Sequence, residues 1–303
     1  MIHPAATPND HLRAMRWAVC SSPILEVHRS PAGTLWPTLD WFQQLWNSSE
    51  WNAEQIDLHL RDLQNDMPIG RYFESLVRVF FQLHPDWELL HHNVVLFQDG
   101  NTLGECDLVI QSKVDGMIYH LELACKYYLG YPSQSDWGCW MGRNTQDTLE
   151  LKWNKLEQQL GLLRTAPGVE WLQQQGITTY RTMAWLKGYV FVPSSEIIQP
   201  KLPRWHHPKL QVGCYMPLRV LRQMPDLPKQ WLILPKSWWL VFPERSFAEI
   251  ETQLLSAHDL HDALLQQFKV FRHRGWLVAQ VMESDGLAYE LARWMVVDDR
   301  WPL

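Results

Sequence analysis

LGECDLVIQSKVDGMIYHLELACKYYL, residues 103–129, decides how this chain is read. Two β-rich runs, 103–114 and 117–129, flank Asp115-Gly116, a pair that marks a tight turn between antiparallel strands. If Val114 pairs with Met117 across a two-residue loop, Asp107 lies opposite Ala124, with Glu122 and Lys126 as its diagonal neighbours, and Glu105 lies opposite Lys126. Alternation with period two sets Glu105, Asp107, Glu122 and Lys126 on one face of the hairpin. Diagonal neighbours are roughly 7–8 Å apart at Cα, a span that two acidic side chains can bridge around a divalent cation. Hard oxygen donors favour magnesium.

Upstream, PIGRYFESLVRVFFQLHP (68–85) reads as a helix, with proline at its start and a broad apolar face of Tyr72, Phe73, Leu76, Val77, Phe80 and Phe81. Glu74 sits at the edge of that face. A strand is expected at 87–97, and the two hairpin arms at 103–110 and 117–128. Downstream we expect a helix over about 146–164, with Leu149, Trp153, Leu156, Leu160 and Leu163 inward, and a strand at 183–192. Lys152, Lys155 and Gln159 on the other helix face form a modest basic strip with Arg143, suited to phosphate contact. This order of elements predicts an α/β (α+β) core over 66–195. Residues 1–65 read as a helical lead-in, and 196–303 as an α+β extension. Within that extension we expect a Pro-rich linker over 193–230, a strand at SWWLVF, and a helix over about 246–270 opened by the capping box of Ser246 and Glu249. The final segment should turn at Asp285-Gly286, with a second arm that reads as strand or helix.

Composition narrows the function classes. The net charge is −6, so any nucleic-acid site must be a local concentration of Lys and Arg. The five cysteines contain no CxxC pair, which signals neither a zinc ribbon nor a disulfide framework. No apolar run is long enough to span a membrane, and the N-terminus lacks the pattern of a signal peptide, so a soluble cytoplasmic protein is expected. Tryptophan is the outlier at 18 residues. Trp36, Trp41, Trp46 and Trp51 form one cluster and Trp231, Trp238 and Trp239 another; large aromatics of this kind bury area in cores and interfaces. No phosphate-cradling glycine loop or nucleophile motif supports a small-molecule enzyme.

Asp107, followed by Glu122-Leu-Ala-Cys-Lys126 and preceded by a helical Glu74, resembles the PD-(D/E)XK nuclease superfamily over residues 68–165. The longer strings GRYFESL, GECDLVI, HLELACKYYLG and GRNTQDTLELKWNKLEQQL look like an uncharacterised bacterial domain-of-unknown-function group. The nuclease resemblance implies a restriction-endonuclease-like mixed sheet flanked by helices. It also implies a magnesium or manganese ion held by Asp107, Glu122, the Leu123 carbonyl and Glu74, with Lys126 orienting water and nucleic acid, DNA before RNA, as substrate. Two positions depart from the pattern: Cys106 replaces the proline before the aspartate, and Ala124 stands where the lysine is usual, Lys126 lying one pleat further on. A second reading pairs Glu105 with Lys126 and Glu74 with Arg78 as salt bridges. The chain would then be a noncatalytic scaffold whose tryptophan-rich regions recruit a protein or nucleic-acid partner.

Overall fold

The computed structural model describes residues 6–26, 33–61, 63, 67–131, 136–196, 198–225, 230–271 and 274–302. In chain order the elements are α1 (Pro8–Cys20), β1 (Thr34–Leu35), α2 (Leu39–Asn47), α3 (Ala53–Leu60), α4 (Ile69–Leu83), β2 (Trp87–Gln98), β3 (Asn101–Ser112), β4 (Ile118–Gly130) and β5 (Trp140–Gly142). They continue with α5 (Leu149–Leu160), α6 (Ala166–Gln174), β6 (Arg181–Pro193), β7 (Gln211–Pro217), α7 (Leu218–Gln223), β8 (Trp231–Ile233), α8 (Phe247–Ile250), α9 (Ala257–Val270), β9 (Trp276–Ser284) and β10 (Leu287–Val297). Helices combine with strands of both polarities, so the class is mixed α/β as expected. Two compact units result, one of Ala6–Cys125 with Leu151–Lys187, the other of Lys126–Glu150 with the chain from Gly188 onward. Strands β4 and β6 each begin in the first unit and end in the second.

In the first unit, α1 opens on a capping box in which the Thr7 hydroxyl accepts from the Asp10 amide and the Asp10 carboxylate accepts from the Thr7 amide. The apolar face of α4 is fully buried at Phe73, Leu76, Val77, Phe80 and Phe81. Phe80 stacks on Trp46 and Trp51, and of the first tryptophan cluster Trp46 is buried in the core while Trp36, Trp41 and Trp51 are half-buried around it. Strands β2 and β3 form a hairpin around Asp99 and Gly100, both at positive φ, which matches the right-handed strand twist. The β3–β4 hairpin differs from expectation. Its ladder pairs Leu108 with Leu121 and Gln111 with Ile118, and the Ser112 amide bonds the Met117 carbonyl. The loop is therefore four residues, closed by Gly116 in the left-handed region with its amide on the Ser112 carbonyl. This register differs from the two-residue turn by two positions, and beyond the ladder the simple alternation does not hold: Asp107 lines the cleft, whereas Cys106 lies with His120 and Glu122 in the core. The register places the end of the ladder beside Asp107 and Glu122 instead of Asp107 and Ala124.

The helix expected over 146–164 is shorter. α5 stops at Leu160, a 3-10 turn covers Leu162–Arg164, and Thr165 then caps α6 by accepting from the Gly168 amide. Gly161 and the Thr-Ala-Pro start of α6 break the apolar periodicity that had suggested one continuous helix.

In the second unit β7 lies parallel to β6 and to β10, β9 is antiparallel to β10, and β8 is antiparallel to β9. Three expectations change. The Pro-rich stretch 193–230 carries β7 and α7. SWWLVF is not a strand: Pro235 and Pro243 bracket it, a 3-10 turn forms over Lys236–Trp238, and the buried Trp239 indole donates to the Leu234 carbonyl. The helix expected over 246–270 divides into α8 and α9 because Leu255 bonds Trp231, and Ser256 caps the new start. The capping box of Ser246 and Glu249 is present. The Asp285-Gly286 turn joins two strands, so the second arm is not helical.

Candidate active site

The first unit contains a cleft of 1040 Å³. α4 contributes Arg71, Glu74 and Arg78 to its wall, β3 contributes Glu105 and Asp107, β4 contributes Leu123, and α5 contributes Lys152, Lys155 and Gln159. Helical spacing explains the α4 set, because Arg71 and Arg78 flank Glu74 at i−3 and i+4. The hairpin set arises where the β3–β4 ladder ends at Leu108 and Leu121. There the Asp107 carboxylate accepts from the Leu123 amide at 2.7 Å, so a side chain replaces a ladder carbonyl and the strand pair opens toward the cleft.

Glu122 lies behind this wall, fully buried. One of its carboxylate oxygens meets His120 Nε2 at 2.6 Å, and His120 is buried as completely. Glu122 Oε2 and His120 Nδ1 have no hydrogen-bond partner. Burial pushes the Glu74 carboxyl up to about 7, with Asp107 and Glu105 adding to the effect and Lys152 opposing it. Burial and then the neighbouring Glu122 charge push Asp107 up to about 7, against the Leu123 amide and Lys152. Burial drives Glu122 up to about 8, again opposed first by Lys152. Three desolvated carboxyls thus share a small volume, and one lysine acts on all of them. Such a cluster holds its protons near neutrality and favours any cation that can enter.

Of the residues singled out from sequence, Glu74, Asp107, Leu123, Lys152, Lys155 and Gln159 line the cleft, and Glu122 stands directly behind it. Lys126 and Arg143 do not line it. Lys126 belongs to the second unit, where its ammonium pairs with Asp147 at 2.5 Å. Arg143 lies over the Trp239 ring and donates to the Gly275 carbonyl. The expected salt bridges are replaced as well: Glu105 accepts from the Asn93 amide group at 2.7 Å, and Arg78 donates to Gln82. Arg71 and His120 were not anticipated. The helical offset from Glu74 signals the first, whereas only the two-residue spacing to Glu122 on a strand hints at the second. None of the 18 tryptophans lines the cleft.

The profile of the family described as a domain of unknown function, DUF1853, matches residues 13–297. The chain belongs to this family. No curated protein and no solved structure matches it. The matched span of this DUF1853 member takes in every residue lining the cleft, from Met67 to Thr165. Among its described residues no helix is long and apolar enough to cross a membrane.

Proposed function

We propose that this DUF1853 protein is a metal-dependent phosphodiesterase acting on nucleic acid, of the PD-(D/E)XK type. One observation carries the reading: Glu74 and Asp107 face a cleft, with Glu122 behind them, and Arg71, Arg78, Lys152 and Lys155 share its walls. Carboxylates alone would repel a phosphodiester, and cations alone would bind it without activating water. The two together suit hydrolysis.

The donor set fits a hard divalent cation. Glu74 and Asp107 offer oxygen ligands in the cleft, the Leu123 carbonyl is adjacent, and a cation would relieve the mutual repulsion that raises these acids. Magnesium or manganese would supply Lewis acidity and a water of lowered pKa. Asp107 and Glu74 would hold the ion, with Asp107 oriented by the Leu123 amide. Lys152 would neutralise charge on the phosphoryl oxygens, and Lys155, Arg71 and Arg78 would bind flanking phosphates. No aromatic side chain is among the described residues lining the cleft, so the cations there would act on the phosphate backbone.

The test is cleavage of circular, linear and single-stranded DNA and of RNA with magnesium or manganese, by wild type, Asp107→Asn and Glu74→Gln. Metal-dependent cleavage lost in both variants supports the reading; folded wild type that cleaves none of these substrates overturns it. A second reading, a nuclease-like scaffold that binds without cleaving, draws on the engagement of Lys126 by Asp147 and on Ala124 at the usual lysine position. Binding that Lys152→Ala weakens, with no cleavage under any condition, would favour it.

A further inference from the structure

Behind the cleft wall, Cys106, His120 and Glu122 bring a sulfur, an imidazole nitrogen and a carboxylate oxygen within 4.8 Å of one another, and all three residues are buried. We propose that these residues form a second metal site, selective for a borderline transition ion of the zinc class and distinct from the magnesium site of the cleft. The cleft ion would be held by Asp107 and Glu74 and this one by Cys106, His120 and Glu122, so the inference does not depend on the cleft being catalytic.

Three observations support it. The donor set is one sulfur, one nitrogen and one oxygen, which matches zinc, cobalt or iron and not magnesium, whose ligands are oxygens. Glu122 Oε2 is buried with no hydrogen-bond partner, an arrangement that a bound cation would satisfy. Finally, the short contact between His120 Nε2 and Glu122 Oε1, 2.6 Å, holds at most one proton between two groups that both coordinate metals. An ion replacing that proton would be bound by Nε2, a Glu122 oxygen and the Cys106 sulfur. Bond lengths of ~2.0–2.3 Å place tetrahedral ligand atoms roughly 3.3–3.8 Å apart, so the set needs separations to change by up to about 1.5 Å, within reach of side-chain rotation. A fourth position would remain for water, as in three-ligand zinc sites.

The geometry is rigid because β3 and β4 carry all three residues, and Cys106 is part of the apolar cluster with Leu96, Val109, Leu162 and Leu163.

The experiment is a cobalt(II) titration of the full chain after chelator treatment, read by absorption, with zinc as competitor. Wild type should bind one equivalent with a thiolate-to-cobalt charge-transfer band, and zinc should displace it and raise Tm. Cys106→Ser should lose the band and bind zinc at least ~100-fold more weakly, a larger loss than outer-shell changes cause. Should that variant fail to fold, Cys106→Ala provides the same readout. Asp107→Asn should keep the band even if it cleaves nothing, which separates this site from the cleft. Wild type without a thiolate band and without a zinc-dependent rise in Tm overturns the proposal. So does a band that persists in a folded Cys106 variant.

Discussion

Asp107, Glu74 and Glu122 each bind their proton more tightly in the folded chain than in the unfolded one, and this fixes a sign. A carboxyl raised from its ordinary value of 3.8 or 4.5 to about 7 or 8 contributes stability at low pH that is lost as pH rises through the higher value. His120 works in the opposite direction, its pKa pressed down to about 4 by burial, but folded and unfolded forms are both neutral above pH 6.5. Between pH 6.5 and 8 the carboxyls therefore dominate, and the urea midpoint of the metal-free protein should fall across that window. Glu122→Gln should flatten the decline, and so should saturating magnesium at pH 8. A midpoint that stays level or rises would contradict this account of the cleft. Two lysines provide a sharper contrast. Lys126 is tied to Asp147 in a pair whose side chains are both about one-third exposed, so Lys126→Ala should cost under ~1 kcal/mol and leave cleavage within a few-fold. Lys152 opposes the raised pKa of all three acids, and Lys152→Ala should lower cleavage by about 100-fold with little change in Tm. Steady-state cleavage by the two variants side by side decides between them.

At the scale of elements, the second unit depends on one close approach. Gly188 in β6 has φ +142, and a Cβ there would lie 1.8 Å from the Lys126 carbonyl oxygen of β4. β6 cannot accept a side chain at that point. Gly188→Ala should destabilise by at least ~3 kcal/mol, combining backbone strain with a clash against main chain. Chemical denaturation would show this, and a variant as stable as wild type would mean that the two strands part more readily than this packing implies. The split of α8 from α9 has a related origin. Local periodicity favours a continuous helix, but the Leu255 amide and carbonyl both bond Trp231, and that tertiary pairing outweighs another turn of helix.

Across the whole molecule the net charge is −6, and the cleft sets four cations, Arg71, Arg78, Lys152 and Lys155, beside four acids, Glu74, Glu105, Asp107 and Glu157. If the four cations neutralise phosphates, binding to duplex DNA should weaken with a slope of about −3 to −4 in log K against log salt, and about −3 for single strands. Lys155→Ala should reduce that slope by about one unit. Fluorescence anisotropy at several salt concentrations measures it, and a slope near zero would show that the cleft does not grip the phosphate backbone.

Residue patterning alone was enough for the mixed α/β class, the amphipathic α4 and the turns at Asp115-Gly116 and Asp285-Gly286, and it singled out Glu74, Asp107 and Glu122 as neighbours, though on one face and not with Glu122 buried behind the cleft wall. These follow from local rules: strand alternation, helical periodicity and turn chemistry act over a few residues. Only the tertiary structure decided the rest. It withdrew Lys126 and Arg143 from the cleft by giving them partners distant in sequence or space, Asp147 for one and Gly275 for the other. It joined His120 and Cys106 to Glu122 inside the core. It also converted SWWLVF from a strand into a buried turn. Each outcome depends on which distant group meets a side chain or a free backbone amide, and residue spacing along the chain carries no information about that.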